Sequence, residues 1–382
     1  VFFMYFLKSE YMEFNEMLDR YADLLVRYCV SLREGERLLV KSTTLGEPLV
    51  RRIHREALKA GGIVEVMLEM EGQVDALLRY GSREALLTPA MQFDRAMREF
   101  DAYIHVMAPY SLRSAGGGEE EVSKERVRLR NEGLRGAHEA YYSRTATRAL
   151  KRTLCQYPTE VDAREAGMTL EAYAEFVFGA CRLYDADPLE SWLEVRRSQQ
   201  HIVDRLNRAK EVRYRHPEFD ICFGTVGRTW MNSDGQTNMP SGEVYTSPVE
   251  DSVNGEVYFS LPALHGGHEV SGVRLWVKDG EIVRWDAKEG KEYLDGVFEV
   301  AGTRRFGEAA IGTNGKIRQI TRNILFDEKI GGTIHMAIGQ SYLQCGGKNE
   351  SAIHWDMITD MTNGGEIFAD GELIYRNGEF LL

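Results

Sequence analysis

Five dipeptides constrain the last third of this sequence more than any other feature: Asn254-Gly255, Asp279-Gly280, Asn314-Gly315, Asp370-Gly371 and Asn377-Gly378. Asn-Gly and Asp-Gly suit the two central positions of a type I′ turn. Both positions need a positive φ there, and the turn matches the twist of two strands joined by two residues. Several of the pairs lie between alternating apolar runs: 273–277 comes before Asp279, 281–285 after it, and 372–375 before Asn377. Alternation is the period of a strand with one buried face. The last third therefore reads as mainly antiparallel β, with a boundary near 225–240, ahead of the loop 232–240.

The earlier part of the chain has a different period. Phe14, Met17, Leu18, Tyr21, Leu24, Leu25 and Tyr28 recur at helical spacing and predict an amphipathic helix over 12–31. Residues 33–36 read as a turn and 37–41 as a short buried strand. Pro48 suits the start of the next helix, where a missing N–H costs nothing, and Gly61-Gly62 is a natural stop. Residues 63–68 read as a strand, as do 102–107 and 219–223. This β-α-β order implies a parallel sheet with helices on its faces. Helical patterns fill much of 122–212, at 150–154, 170–181 and 192–209, with a break at Tyr157-Pro158-Thr159.

A length of 382 residues is compatible with about two domains. The expected fold is an α/β N-terminal domain with a mainly parallel sheet over 12–230. A β-rich (α+β) C-terminal domain over 231–382 follows. The first seven residues are apolar, yet no basic segment precedes them and Lys8, Glu10 and Glu13 follow at once. They are too short for a secretion signal or a membrane span, and read as a loose extension or an upstream start.

Other features exclude function classes. A net charge of −12 argues against a general nucleic-acid surface. It does not argue against a buried cation, which needs carboxylates around it. Cys29, Cys155, Cys181, Cys222 and Cys345 are scattered and form no C-x-x-C, so reduced thiols and a cytoplasmic location are expected. The stretch Ser114-Ala-Gly-Gly-Gly118 lacks a following lysine and leads into Glu119-Glu120-Glu121, which would repel a phosphate. It reads as a turn leading into a charged helix. No G-x-G-x-x-G follows a strand, so no dinucleotide cofactor is expected.

The chemistry-bearing residues concentrate late in the chain. In 333–339 the alternation puts His335 on one face with Ala337, opposite Ile334, Met336 and Ile338. In the same way His354 and Asp356 share a face, opposite Ile353, Trp355 and Met357. Strand neighbours two apart lie about 7 Å apart at Cα. That span suits two ligands converging on one metal, or reaching two metals about 3.5–4 Å apart. The structural alternative is a core histidine bonded to a strand aspartate. Glu243 opens the run Glu-Val-Tyr-Thr after a proline-glycine turn, where an acid commonly faces solvent. Glu308 lies in Arg305-Phe-Gly-Glu-Ala-Ala310 and would ordinarily read as a helix-start acid. His265-Gly-Gly-His268 is a competing pair on a glycine turn with no aspartate beside it. His54, His105, His138, His201 and His216 stand alone.

Taken together, 238–248, Phe306-Gly307-Glu308, 334–342 and 349–356 resemble the M29 family of metalloaminopeptidases. Tyr157-Pro158-Thr159 and Glu165-Ala-Gly-Met168 resemble the N-terminal half of that family. The resemblance covers the chain from about residue 12. It implies a two-metal site on Glu243, Glu308, His335, Tyr342, His354 and Asp356, with Zn, Co or Mn as the ions. It also implies a symmetric dimer and a peptide substrate with a free N-terminus. The long helical stretch 122–212 exceeds what one small sheet needs as cover, so the N-terminal domain is expected to supply the dimer surface and a pocket wall. Only 11 residues separate Tyr342 from His354, a shorter connection than in some members, which bears on the pocket rim.

The chemistry agrees with that implication. Peptide hydrolysis needs an activated water and a stabilised oxyanion, and two divalent cations supply both. Three acids and two imidazoles nearly balance two dications. Glu308 is the expected general base as well as a ligand, and Tyr342 a ligand or oxyanion donor. Two rivals remain: a dipeptidase or other two-metal amidohydrolase, and a catalytically idle peptide-binding protein. Neither a nucleic-acid partner nor a membrane is expected.

Overall fold

The computed structural model describes residues 2–112 and 123–382. The glycine stretch 114–118 and Glu119 to Glu121 lie outside the described residues. Apolar residues at helical spacing do form the first helix, Phe2–Leu24, which continues into a wider π turn over Leu25–Cys29. It starts earlier than the expected 12–31. Its apolar stripe of Met17, Leu18, Tyr21, Leu24 and Leu25 is buried.

Five parallel strands follow, in the order Ile63–Glu69, Arg37–Thr43, Ala102–Met107, Lys151–Gln156 and Asn238–Met239. Pro48 sits in the first turn of the helix Glu47–Lys59, and Gly61 takes the left-handed backbone (φ +79°) that ends it. Residues 150–154, read as helical, form the fourth strand instead. A five-residue apolar window cannot separate the two periods, and here Thr153 and Cys155 alternate inward. The other helical expectations hold, as Leu170–Ala180 and Pro188–Leu206.

The chain divides into two compact units, 1–191 with 235–240, and 192–234 with 241–382. The second unit thus takes in residues 192–230, which the sequence reading gave to the first domain. The cause is visible in the core: Ile202, Val203, Leu206, Val212, Tyr214 and Phe223 pack with the β-rich core. Phe219–Gly224 does not join the parallel sheet. It forms an antiparallel hairpin with Glu211–His216 inside an eight-stranded sheet.

Three of the five turn signals make the expected hairpins. Both residues have positive φ in Asp279-Gly280 (49° and 79°), Asp370-Gly371 (52° and 81°) and Asn377-Gly378 (50° and 93°). Asn254-Gly255 instead lies within the strand Asn254–Phe259, where a Cβ on Gly255 would stand 2.2 Å from the Asp220 carbonyl oxygen. Asn314 is buried and ties two loops together, as described below.

The second unit's other large sheet has five antiparallel strands: His354–Asp360, Thr333–Gly339, Phe306–Gly312, Glu243–Thr246 and Met231–Ser233. One face of it joins the core of the eight-stranded sheet through Val244, Ala309, Ile311, Ile334, Met336, Ile338, Trp355 and Met357.

Candidate metal centre

The other face of this five-stranded sheet carries the chemistry. Period-two alternation puts Glu243 and Tyr245, Glu308 and Ala310, His335 and Ala337, and His354 and Asp356 opposite the core residues. Register then aligns them: Glu308 pairs with Ala337, and Ala337 with Asp356. Ala310 faces both His335 and Tyr245, Gly312 faces Glu243, and Gly339 faces His354. Small residues therefore separate the long polar ones in both directions, leaving space above the sheet. A bulge between Phe306 and Glu308 holds Gly307 against the next strand. A Cβ there would lie 2.2 Å from the Gln340 carbonyl oxygen.

Two groups of side chains converge on that face. Glu243, Glu328 and His335 form one, and Glu308, His354 and Asp356 the other. In each, one ligand atom per residue lies within 4.8 Å of the others. Glu308 stands between them, its Oε1 3.6 Å from His335 Nε2 and its Oε2 3.0 Å from His354 Nε2. His335 Nε2 is also 3.3 Å from Glu243 Oε2, and His354 Nε2 is 3.5 Å from Asp356 Oδ2. His335 is wholly buried, and Glu308, Glu243 and Asp356 nearly so.

The donors fit metal ions. Glu243 Oε2, both His335 nitrogens and Asp356 Oδ1 are buried with no hydrogen-bond partner. Buried polar atoms are rarely left so. A cation in the first group would engage Glu243 Oε2 and one His335 nitrogen, and one in the second would engage Asp356 Oδ1. Carboxylate and imidazole together form a donor set for zinc, cobalt or manganese. His354 Nδ1 donates to the Gln340 carbonyl oxygen at 2.7 Å. A carbonyl oxygen can only accept, so this bond keeps the proton on Nδ1 and turns Nε2 toward the carboxylates, as an orienting partner of a metal ligand does.

The electrostatics agree. Burial lowers the His354 pKa, but Asp356 and Glu308 more than reverse this and push it up to about 12. His335 is likewise lowered by burial and raised well above its ordinary value by Glu243 and Glu308. Burial alone would raise Asp356, yet His354 and His335 bring it down to about 2. A face that holds protons this strongly on its imidazoles attracts positive charge of any kind.

Tyr342 lies half-buried at the rim of the face. Its hydroxyl is 3.4 Å from His354 Nε2 and its ring packs on Tyr245 with centroids 5.3 Å apart. Its backbone N–H donates to Ser247 Oγ, which donates in turn to the Gly307 carbonyl. All six residues singled out from the sequence thus meet on one face. Glu308 is not at a helix start but inside a strand, and Glu243 is buried rather than solvent-facing.

Sequence reading missed Glu328 and Lys329. Both lie in the turn between the short helix Ile324–Asp327 and the strand Thr333–Gly339, where no period predicts a direction. The adjacent acid–lysine pair ahead of Gly331-Gly332 was the only available signal. His265 and His268 go elsewhere. They face each other across a hairpin, His265 bonded to the Tyr293 hydroxyl at 2.7 Å and His268 stacked on the Tyr293 ring.

Comparison with known proteins adds to this geometry. A family model described as thermophilic metalloprotease (M29) matches residues 14–380. The chain is 27% identical to aminopeptidase 2 of Geobacillus stearothermophilus, over 95% of this chain and 97% of that protein. It is 24% identical to aminopeptidase T of Thermus aquaticus, over 94% and 95%. The solved structure of wild-type AmpT from Thermus thermophilus superposes with a TM-score of 0.80 at 23% identity, covering 97% of this chain and all of that one. A 2,5-dihydroxypyridine dioxygenase from Pseudomonas putida shares the fold at a TM-score of 0.61 and 13% identity, over 96% of each chain. The fold alone therefore does not fix the reaction.

Proposed function

The chain belongs to the thermophilic metalloprotease (M29) family, and on that premise we propose that it is a metal-dependent aminopeptidase releasing N-terminal residues from peptides. The observation that carries this reading is the pair of three-residue ligand groups on one sheet face, with Glu308 between them. Glu243, Glu328 and His335 would hold one ion, and Glu308, His354 and Asp356 the other. Zinc, cobalt and manganese all suit these donors.

When bound, such cations make water more acidic and polarise a substrate carbonyl. The protein's own groups do the rest. Glu308 takes a proton from the attacking water on a carboxylate oxygen and returns it to the departing amine. The Tyr342 hydroxyl donates to the oxyanion as it forms. The buried acids receive the substrate's free α-ammonium. The substrate is a peptide with a free N-terminus, the protein is a homodimer, and its location is the cytoplasm. The five scattered cysteines, with no C-x-x-C among them, support that location.

Hydrolysis of aminoacyl-arylamides before and after chelation, with zinc, cobalt or manganese added back, tests the reading. Activity should vanish with chelator, return with metal, and be absent on the N-acylated substrates. Equal cleavage of acylated substrates would favour the broader amidohydrolase. No hydrolysis in any metal state would favour a catalytically idle binder.

A further inference from the structure

Lys329 is wholly buried, so it cannot reach solvent or a substrate at the rim. Its ammonium contacts the Glu328 carboxylate and lies 3.6 Å from Glu243 Oε1. Both acids of the first ligand group thus already face a fixed positive charge. The second group is built differently. Among the described residues, the ion pairs of Glu308 and Asp356 are with imidazoles alone; Lys329 acts on Asp356 more weakly than on Glu243 and Glu328, and a neutral imidazole carries no charge to oppose a cation. With neutral imidazoles and all four carboxylates ionised, as ligands to a cation are, the first group sums to one negative charge, counting Lys329, and the second to two.

The lysine is also held in place. Its carbonyl oxygen accepts from the Asn314 backbone N–H at 3.0 Å, and Asn314 Nδ2 donates to the Ser241 carbonyl oxygen at 2.9 Å. The Thr313 N–H donates to the Gly242 carbonyl oxygen at 2.9 Å. The turn at Asn314 therefore ties the segment carrying Lys329 to the residues just before Glu243. An ammonium fixed beside two carboxylates does not move aside at no cost, and close buried charges couple strongly.

We propose that Lys329 is a built-in counter-cation of the Glu243–Glu328–His335 group. The two metal positions are therefore unequal: the ion at Glu308, His354 and Asp356 is held tightly, and the other is readily exchanged. This inference rests on the two-ion reading above.

Equilibrium dialysis of the full chain against buffered Mn²⁺, with elemental counting, tests it. Wild type should bind two ions with dissociation constants about tenfold or more apart, a gap of roughly 1.4 kcal/mol. Asp356→Ala should lose the tight phase. Lys329→Met should tighten the weak phase about tenfold or more and leave the tight one nearly unchanged, with Lys329→Gln falling between. Thermal melts give a second readout. Metal-free Lys329→Met should melt below metal-free wild type, and saturating Mn²⁺ should close most of that gap. A variant that folds only with Mn²⁺ present supports the inference too. It is overturned by equal affinities in wild type, by variants that bind the second ion no tighter, or by a melting deficit that metal leaves unchanged. Fewer than two ions in both wild type and the lysine variants would contradict the two-ion reading itself, and this inference with it.

Discussion

Glu308 is the residue that faces both ligand groups, its two oxygens lying beside different imidazoles. Glu308→Gln keeps the shape and one oxygen donor but loses the base. We expect kcat to fall about 10²–10⁴-fold with metal content largely kept, read by steady-state kinetics and elemental analysis in parallel. Retained metal with near-full kcat would move the base to Glu243. Tyr342→Phe should lower kcat with little change in KM, because an oxyanion contact forms only in the transition state. Loss of an ion from that variant would make Tyr342 a ligand instead. A third prediction lies outside the centre. Burial, and after it the Lys41 ammonium, pushes the half-buried His105 imidazole down to about 4. The unfolded chain then binds a proton that the folded one refuses. His105 thus contributes stability that is present above its ordinary value of 6.5 and lost as pH falls toward 4, on the order of 3 kcal/mol. Burial raises Asp162 and Asp327 to about 6 and gives them the opposite sense. The clean readout is therefore the difference between wild type and His105→Gln in denaturant melts across pH 4–7. Identical pH slopes would remove His105 from the account. At this scale the sequence was legible wherever alternation decided direction. His335, His354 and Asp356 fall on one face because their neighbours Ile334, Met336, Trp355 and Met357 must be buried. Glu328 and Lys329 were illegible because a turn imposes no period.

The five-stranded sheet works as an element because one face packs into the core and the other sets Ala310, Ala337, Gly312 and Gly339 beside its ligands. The bulge at Gly307 is where that arrangement is tightest. A methyl group there would meet the carbonyl oxygens of Gln340 and Gly339, at 2.2 and 2.6 Å, and backbone cannot move aside as a flexible side chain can. Gly307→Ala should therefore cost about 1–3 kcal/mol of stability, as overpacking does, and should weaken metal binding through the displaced Glu308. Thermal melts with and without metal check this, and an unchanged melting temperature would count against the bulge as the feature that sets Glu308. The turn signals show how far local chemistry reaches. Asp279-Gly280, Asp370-Gly371 and Asn377-Gly378 adopt the backbone their residue types favour. Asn254-Gly255 and Asn314-Gly315 have the same types but are claimed by tertiary contacts, one by a neighbouring strand and the other by the loops around Lys329 and Gly242. The strand Lys151–Gln156 was misread as helix because its apolar run is too short to show a period.

For the whole molecule, the sequence foretold a parallel α/β part followed by an antiparallel part, since strand–helix alternation and hairpin chemistry are both local signals. It placed the change too late, because packing rather than composition brings the helix residues from Trp192 and the 211–224 hairpin into the β-rich core. A homodimer predicts a sedimentation mass twice the 43.5 kDa of one chain at micromolar concentration, and a single-chain mass would contradict it. The same fold carries a dioxygenase elsewhere, so the reaction must be decided at the ligand face and not by the architecture. The most direct test is elemental analysis of protein purified without chelator, beside the double variant His354→Ala/Asp356→Ala. The account predicts up to two divalent ions per wild-type chain, and loss from the variant of the tightly held ion, which is most of the metal that survives purification, while circular dichroism shows the fold retained. Full metal content in a folded double variant would contradict it.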